Sequence, residues 1–200
     1  MSSQEIIFAN YFSAAILLII GLALLYVANK RKRISRKIKA VETARKAIIW
    51  AIGITVVLTI INVFLPEILG NYKSDMNELT DFSMPVFTFI STCLIAPLSE
   101  ELIFRFAGIE IFEWLKKVIR KSFRLSECTS NFGIIIFTAL LFALCHENAV
   151  QGLYAFVMGI YLGQMYSKNR NILQNIWFHI IYNTFNLILA YLIQYLNGAL

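Results

Sequence analysis

The sequence predicts an all-α protein: a polytopic transmembrane helical bundle of about six spans, with a kinked long third helix. Three observations predict it. First, 58% of the 200 residues are hydrophobic and 15% are charged, against about a quarter charged in soluble domains; the mean hydropathy is +0.68. Second, the apolar residues come in runs long enough to cross a bilayer. Third, the basic residues gather between those runs, in alternate loops.

The first run covers residues 7–27. Its only early charge is Glu5, with no basic segment before it and no small-residue cleavage site after it. It therefore reads as a retained membrane helix rather than a signal peptide. A basic block follows, Lys30, Arg31, Lys32, Arg33, Arg36, Lys37 and Lys39. The second run, 47–65, is ended by Pro66, which cannot continue a helix. A polar outer loop comes next, with Glu67, Asp75, Glu78 and Asp81 against Lys73.

The third run starts near Met84 and reaches about Leu115. At 1.5 Å per residue it measures roughly 45 Å, too long for one straight span. Pro97 supplies a kink. Beyond it the pattern turns amphipathic and basic, through Lys116, Lys117, Arg120 and Lys121, to about Phe123. The remaining runs are 132–145, then 150–166 after the polar turn HENAVQG, then 172–196. The chain reads as one membrane domain, 1–200. Residues 1–83 give two spans and the outer loop, and 84–200 form the core that carries the polar motifs.

Sixteen of the eighteen basic residues lie in segments 30–46, 116–124 and 168–170. These are alternate loops, so they go inside together and both termini lie outside. The expected setting is a multi-pass cell-membrane protein with the lipid bilayer as partner. The net charge of +6 does not indicate nucleic acid, because the charge flanks spans and faces anionic lipid. Cys93, Cys128 and Cys145 form no C-x-x-C pair and are expected to be small buried side chains.

Six notable polar residues remain at membrane depth: Glu100, Glu101, Arg105, His146, His179 and Asn183. They come from three apolar segments and include both histidines. Ionisable groups inside spans face the bundle interior and are functional by default. Glu101 and Arg105 stand one helical turn apart, so an ion pair is natural. Glu100 points about 100° away from Glu101, which leaves it for general-base work. His146 ends the run FALCH, and His179 and Asn183 share one helix face in HIIYN.

The absent motifs narrow the chemistry. His146-Glu147 begins like H-E-x-x-H, but residue 150 is Val, so that zinc motif fails. There is no G-x-S-x-G. Ser99 lacks a base partner and can bond its own helix backbone. Cys145 diverges from His146 as adjacent helical residues do. Water activation is left. A carboxylate and an imidazole can deprotonate water, while a second imidazole and an amide stabilise the oxyanion. Alternatively Glu100, His146 and His179 supply enough ligands for a single divalent metal such as zinc. Both routes hydrolyse an amide within the membrane.

EELIFR is an E-E-x-x-x-R motif, FALCH is F-x-x-x-H and HIIYN is H-x-x-x-N. In that order, over about residues 85–190, they resemble the CPBP family of intramembrane proteases. This family includes the type II CAAX prenyl endopeptidases and bacterial Abi proteins linked to bacteriocin processing and self-immunity. The resemblance implies Glu100 as the base on water, shared with His146. It implies His179 and Asn183 as oxyanion stabilisers, and Glu101 and Arg105 as braces. The family has been described as both metal- and glutamate-dependent, so the resemblance leaves the cofactor open between none and one divalent metal. The motif arginine is often followed directly by Gly in the family. Here Phe106 follows it and Gly108 stands two further on. With two spans ahead of the motif region, the expected protein is a small bacterial member acting on a peptide or membrane-protein substrate. A non-catalytic immunity or scaffold protein binding a peptide through the same cavity is the alternative, and an ion or proton transporter is a third.

Overall fold

A computed structural model describes residues 3–35, 38–64, 84–123, 131–146 and 149–196. Six helices account for nearly all of them, and no strand occurs among the described residues. They are α1 (Ser3–Lys30), α2 (Ala40–Phe64), α3 (85–123), α4 (Phe132–Leu144), α5 (Ala149–Asn169) and α6 (Ile172–Leu196). The polar outer loop, Cys128 and Glu147 lie outside the described residues.

Three stretches are long and apolar enough to cross a membrane: Tyr11–Lys30, Pro85–Ser122 and Ile172–Leu196. α4 is apolar but has 13 residues, about 20 Å of helix. Their outer faces carry bare apolar side chains, among them Ile19, Tyr26, Val86 and Leu192. Such faces suit lipid and would aggregate in water.

α3 is continuous through Pro97. It runs as Pro85–Thr88, a π-helical stretch Phe89–Ile95, an α-helical turn Ala96–Glu100, a second π-helical stretch Glu101–Gly108, and Ile109–Phe123. Widened turns are the form the proline's disturbance takes. Pro97 has no N–H and its ring crowds the carbonyl a turn before it. Opening the register to i→i−5, as in the Ala96 N–H to Ser91 O bond, relieves that crowding. Hydroxyls take up neighbouring carbonyls: Thr92 Oγ1 to Thr88 O at 2.6 Å, and Ser99 Oγ to Ile95 O at 2.6 Å. Ser99 therefore bonds its own helix, as expected from its lack of a base partner. π-turns of this kind recur at functional positions.

The chain divides into two compact units. The first comprises Met1–Ile20, Lys37–Ser99 and Ile176–Leu200. In it the Tyr11 ring packs 4.2 Å from that of Phe87. Trp177 Nε1 donates to Ala40 O at 3.3 Å. Cys93 is fully buried there.

The second unit comprises Gly21–Arg36 and Glu100–Asn175. Its core is Leu102, Phe106, Ile109, Ile135, Ala139, Phe142, Leu162 and Ile172, all buried. α4 and α5 pack closely because α5 carries Gly159 and Gly163, a small-xxx-small pair that lets helix backbones approach. A Cβ on Gly163 would stand 2.8 Å from Ile135 Cγ2, a side-chain tip that can rotate away. A Cβ on Gly159 would stand 3.1 Å from Ala139 Cα and 3.4 Å from Arg105 Nη2. Gly159→Leu is therefore expected to destabilise the fold by about 3 kcal/mol, and Gly163→Ala by less. Thermal unfolding of the detergent-solubilised variants checks the order. Gly108 plays a like part on α3, with its Cβ position 3.4 Å from Thr138 Cγ2. The glycine displaced from beside Arg105 thus still serves close packing, and Phe106 is simply buried.

The basic block after α1 forms ion pairs within the second unit. Arg33 pairs with Glu110, Arg31 reaches the same carboxylate at 3.3 Å, and Tyr166 donates to it at 2.9 Å. Arg170 pairs with Glu113. Ile172 N–H donates to Arg33 O at 2.9 Å, and Ser35 N–H to Asn171 Oδ1 at 3.1 Å. Lys32 turns the chain into this arrangement with a left-handed φ of 56°, closed by Arg33 N–H on Ala28 O at 2.9 Å. A side chain there strains the backbone, which glycine does not. Lys32→Gly is expected to stabilise the protein by about 1 kcal/mol, read as a higher unfolding temperature.

Candidate functional site

The second unit joins two of the three motifs. Glu101 is wholly buried and Arg105 is 2% exposed. Arg105 Nη1 lies 3.2 Å from Glu101 Oε1. The contact has the reach of an ion pair but not the line of a hydrogen bond, since neither Nη makes a hydrogen bond among the described residues. Charge, rather than a directed bond, holds the pair. The other Glu101 oxygen, Oε2, accepts from Asn175 Nδ2 at 3.2 Å. Both oxygens are thus engaged, and the Glu101–Arg105 ion pair is the one that the one-turn spacing predicts.

Arg105 also lies over the Phe142 ring, its Cζ 4.3 Å from the centroid, a cation–π contact strengthened by burial. Phe142 in turn seats His146. The two rings meet edge to face at 4.8 Å and 90°. His146 Nδ1 lies 2.9 Å from Phe142 O. A carbonyl only accepts, so Nδ1 carries the proton, and in the neutral ring Nε2 presents its lone pair. This is the physical content of F-x-x-x-H: the phenylalanine backbone fixes the tautomer and its ring carries the arginine. His146 is half-buried, just past the end of α4. Cys145 beside it is exposed, contrary to the expected buried cysteine, because α4 ends at Leu144 and the chain turns there.

Glu100, half-buried, closes the turn Ala96–Glu100 where the second π-helical stretch begins. It belongs to the same unit as Glu101, Arg105 and His146.

The first unit carries the third motif. His179 is 2% exposed. Asn183 Nδ2 donates to Thr92 O at 2.8 Å. Thr92 stands five residues before Pro97, and in the i→i−5 register of this stretch its partner would be the absent proline N–H. Asn183 supplies the hydrogen that Pro97 cannot. A carbonyl left without a donor is costly in hydrocarbon, so this amide has a structural task alongside any chemical one.

Two residues escape a motif-based reading. Asn175 is one; its signal is the repeated spacing in NIWFHIIYN, which sets Asn175, His179 and Asn183 on one helix face. Gly159 is the other, lying against Arg105 Nη2. Among the described residues no group of three or more His, Cys, Asp or Glu is placed to hold a metal ion. Of the candidate ligands, Glu100 and His146 lie in the second unit and His179 in the first.

Long apolar helices, a buried Glu–Arg pair and a histidine seated through Phe142 define a helical membrane protein with E-E-x-x-x-R and F-x-x-x-H motifs. The model of the Rce1-like family, "Type II CAAX prenyl endopeptidase Rce1-like", matches residues 82–185, just over half of the 200. The chain belongs to that family, whose activity at the family level is that of an intramembrane endopeptidase. No curated protein and no solved structure matches the chain significantly.

Proposed function

We propose that this chain is an intramembrane endopeptidase that hydrolyses a peptide bond of a peptide or membrane-associated substrate with a water activated by Glu100 and His146. The observation that carries the reading is the seating of His146. Its Nδ1 is committed to Phe142 O at 2.9 Å, so in the neutral ring Nε2 is the acceptor, the state a general base needs. Glu101 is bound to Arg105 and Asn175, and Glu100, the first glutamate of E-E-x-x-x-R, is assigned the chemistry on its place in the motif.

The reaction follows from these roles. Glu100 takes a proton from water as its oxygen bonds to the carbonyl carbon. The carbonyl electrons move to oxygen, and the oxyanion receives hydrogen bonds from His179 and Asn183. The C–N bond then breaks, and the proton passes through the Glu100/His146 pair to the leaving amine. The bilayer setting favours this by strengthening each interaction through low dielectric.

The proposed arrangement in the cell membrane has six spans, with the basic loops inside and both termini outside, on the charge pattern alone. The family description supports a prenylated CAAX peptide as the first substrate to try. A bacteriocin-like peptide, as in processing or self-immunity, is the second. Purified protein in liposomes, given each peptide, is expected to release a C-terminal fragment identified by mass spectrometry. His146→Ala is expected to bind peptide and release none. Binding without cleavage by the unaltered protein would favour the non-catalytic alternative.

A further inference from the structure

Asn175 belongs to none of the motifs, yet it lies in the core of the second unit. It is completely buried. Its Nδ2 donates twice, to Leu162 O at 2.8 Å and to Glu101 Oε2 at 3.2 Å. Turning the amide over would set its carbonyl oxygen against two acceptors, so the donor orientation is fixed by its partners. The amide thereby ties the start of α6 to a backbone carbonyl of α5 and to a carboxylate of α3.

The consequence runs outward through contacts already described. Glu101 is held on one oxygen by Asn175 and lies against Arg105 on the other. Arg105 lies over Phe142. Phe142 holds His146 by ring edge and carbonyl. Every link is buried except the last, which is half-buried. The Glu101–Arg105 pair lacks a directed hydrogen bond of its own. The Asn175 donor is thus a directed bond on this carboxylate and helps to fix where it, and hence the arginine, comes to rest.

We propose that Asn175 is a positioning residue for His146, acting through Glu101, Arg105 and Phe142. The inference rests on the peptidase reading for its kinetic test but not for its structural one. Three substitutions separate donor from bulk. Asn175→Ser keeps a donor on a shorter side chain. Asn175→Ala removes it. Asn175→Asp keeps the shape but adds a second buried carboxylate beside a pair whose charges already balance. The expected order of kcat is Asn, Ser, Ala, Asp. The alanine variant falls about 10-fold and the aspartate variant about 100-fold, with KM within about twofold.

The second readout needs no activity. The chain has two histidines, so in a His179→Ala background His146 is the only one. Its 15N-labelled ring resonances in detergent are expected to shift in the same order. If the unaltered protein cleaves nothing, the peptidase reading fails and the ring resonances still decide this inference. Unmoved resonances overturn the inference. So does an aspartate variant equal to the unaltered protein in kcat, or a loss confined to KM. Failure of all three variants to fold would also overturn it, by showing that Asn175 serves the fold alone.

Discussion

Glu100→Gln is expected to lower kcat for peptide cleavage by about 10³-fold, with little change in peptide affinity or unfolding temperature. Glutamine keeps the size and hydrogen-bonding reach of the side chain but cannot accept the proton of the attacking water. Glu100 is half-buried at the joint of two helical registers, so the isosteric change disturbs little packing. Glu101→Gln makes the necessary comparison. Its loss should register first as instability, because it pairs with Arg105. Two neighbouring glutamates thus give two different phenotypes, one kinetic and one thermodynamic. Equal loss of kcat without loss of stability in both variants would show that the division of labour is wrong. Purification, circular dichroism and a cleavage assay on the two variants together provide the check.

Removing one member of the buried Glu101–Arg105 pair is the second large effect. Arg105→Ala is expected to destabilise the protein by about 3–5 kcal/mol, the usual penalty for an uncompensated buried charge. It also empties the space over Phe142 that Arg105 fills. A paired replacement, Glu101→Leu with Arg105→Met, removes both charges at once and fills similar volume. It is expected to recover most of the stability and to remain poorly active, because Phe142, which seats His146, loses the group that lies over it. Chemical denaturation in mixed micelles measures the first statement, and cleavage by the folded double variant measures the second. Recovery of both stability and full activity would mean that the pair does no more than satisfy its own charges.

Much of this was legible in the sequence because the bilayer imposes so few solutions. The run 172–196 matches α6 (Ile172–Leu196), and 132–145 differs from α4 by one residue. Hydrophobic length is a direct physical requirement there. α2 begins at Ala40, earlier than its apolar run, because Glu42 and Lys46 pair across one turn at 2.7 Å and extend the helix in polar sequence. The Glu101–Arg105 pair was legible from its spacing, since one helical turn leaves little choice.

Other features lie beyond what spacing encodes. The widened turns on either side of Ala96–Glu100 depend on where Pro97 and the neighbouring hydroxyls place their carbonyl acceptors, which a periodicity cannot show. The double donation by Asn175 depends on a carbonyl thirteen residues earlier, at Leu162, and on a carboxylate in another helix. The pairing of Arg33 and Arg170 with Glu110 and Glu113 was hidden because a basic loop also satisfies a topology rule that needs no partner. Phe142 is read by its motif as a spacer before His146. Its role as the surface beneath Arg105 appears only when α3 and α4 are packed.

The central claim is that water, activated by Glu100 and His146, attacks the peptide directly. A single-turnover cleavage in H₂¹⁸O by the purified protein in liposomes tests it most directly, with the product and the intact protein both weighed by mass spectrometry. The account predicts one ¹⁸O in the new terminal carboxylate and no acyl group on the protein at any time before completion. A covalent acyl adduct, for instance on the exposed Cys145, would contradict it, as would unchanged turnover by Glu100→Gln in the same liposomes.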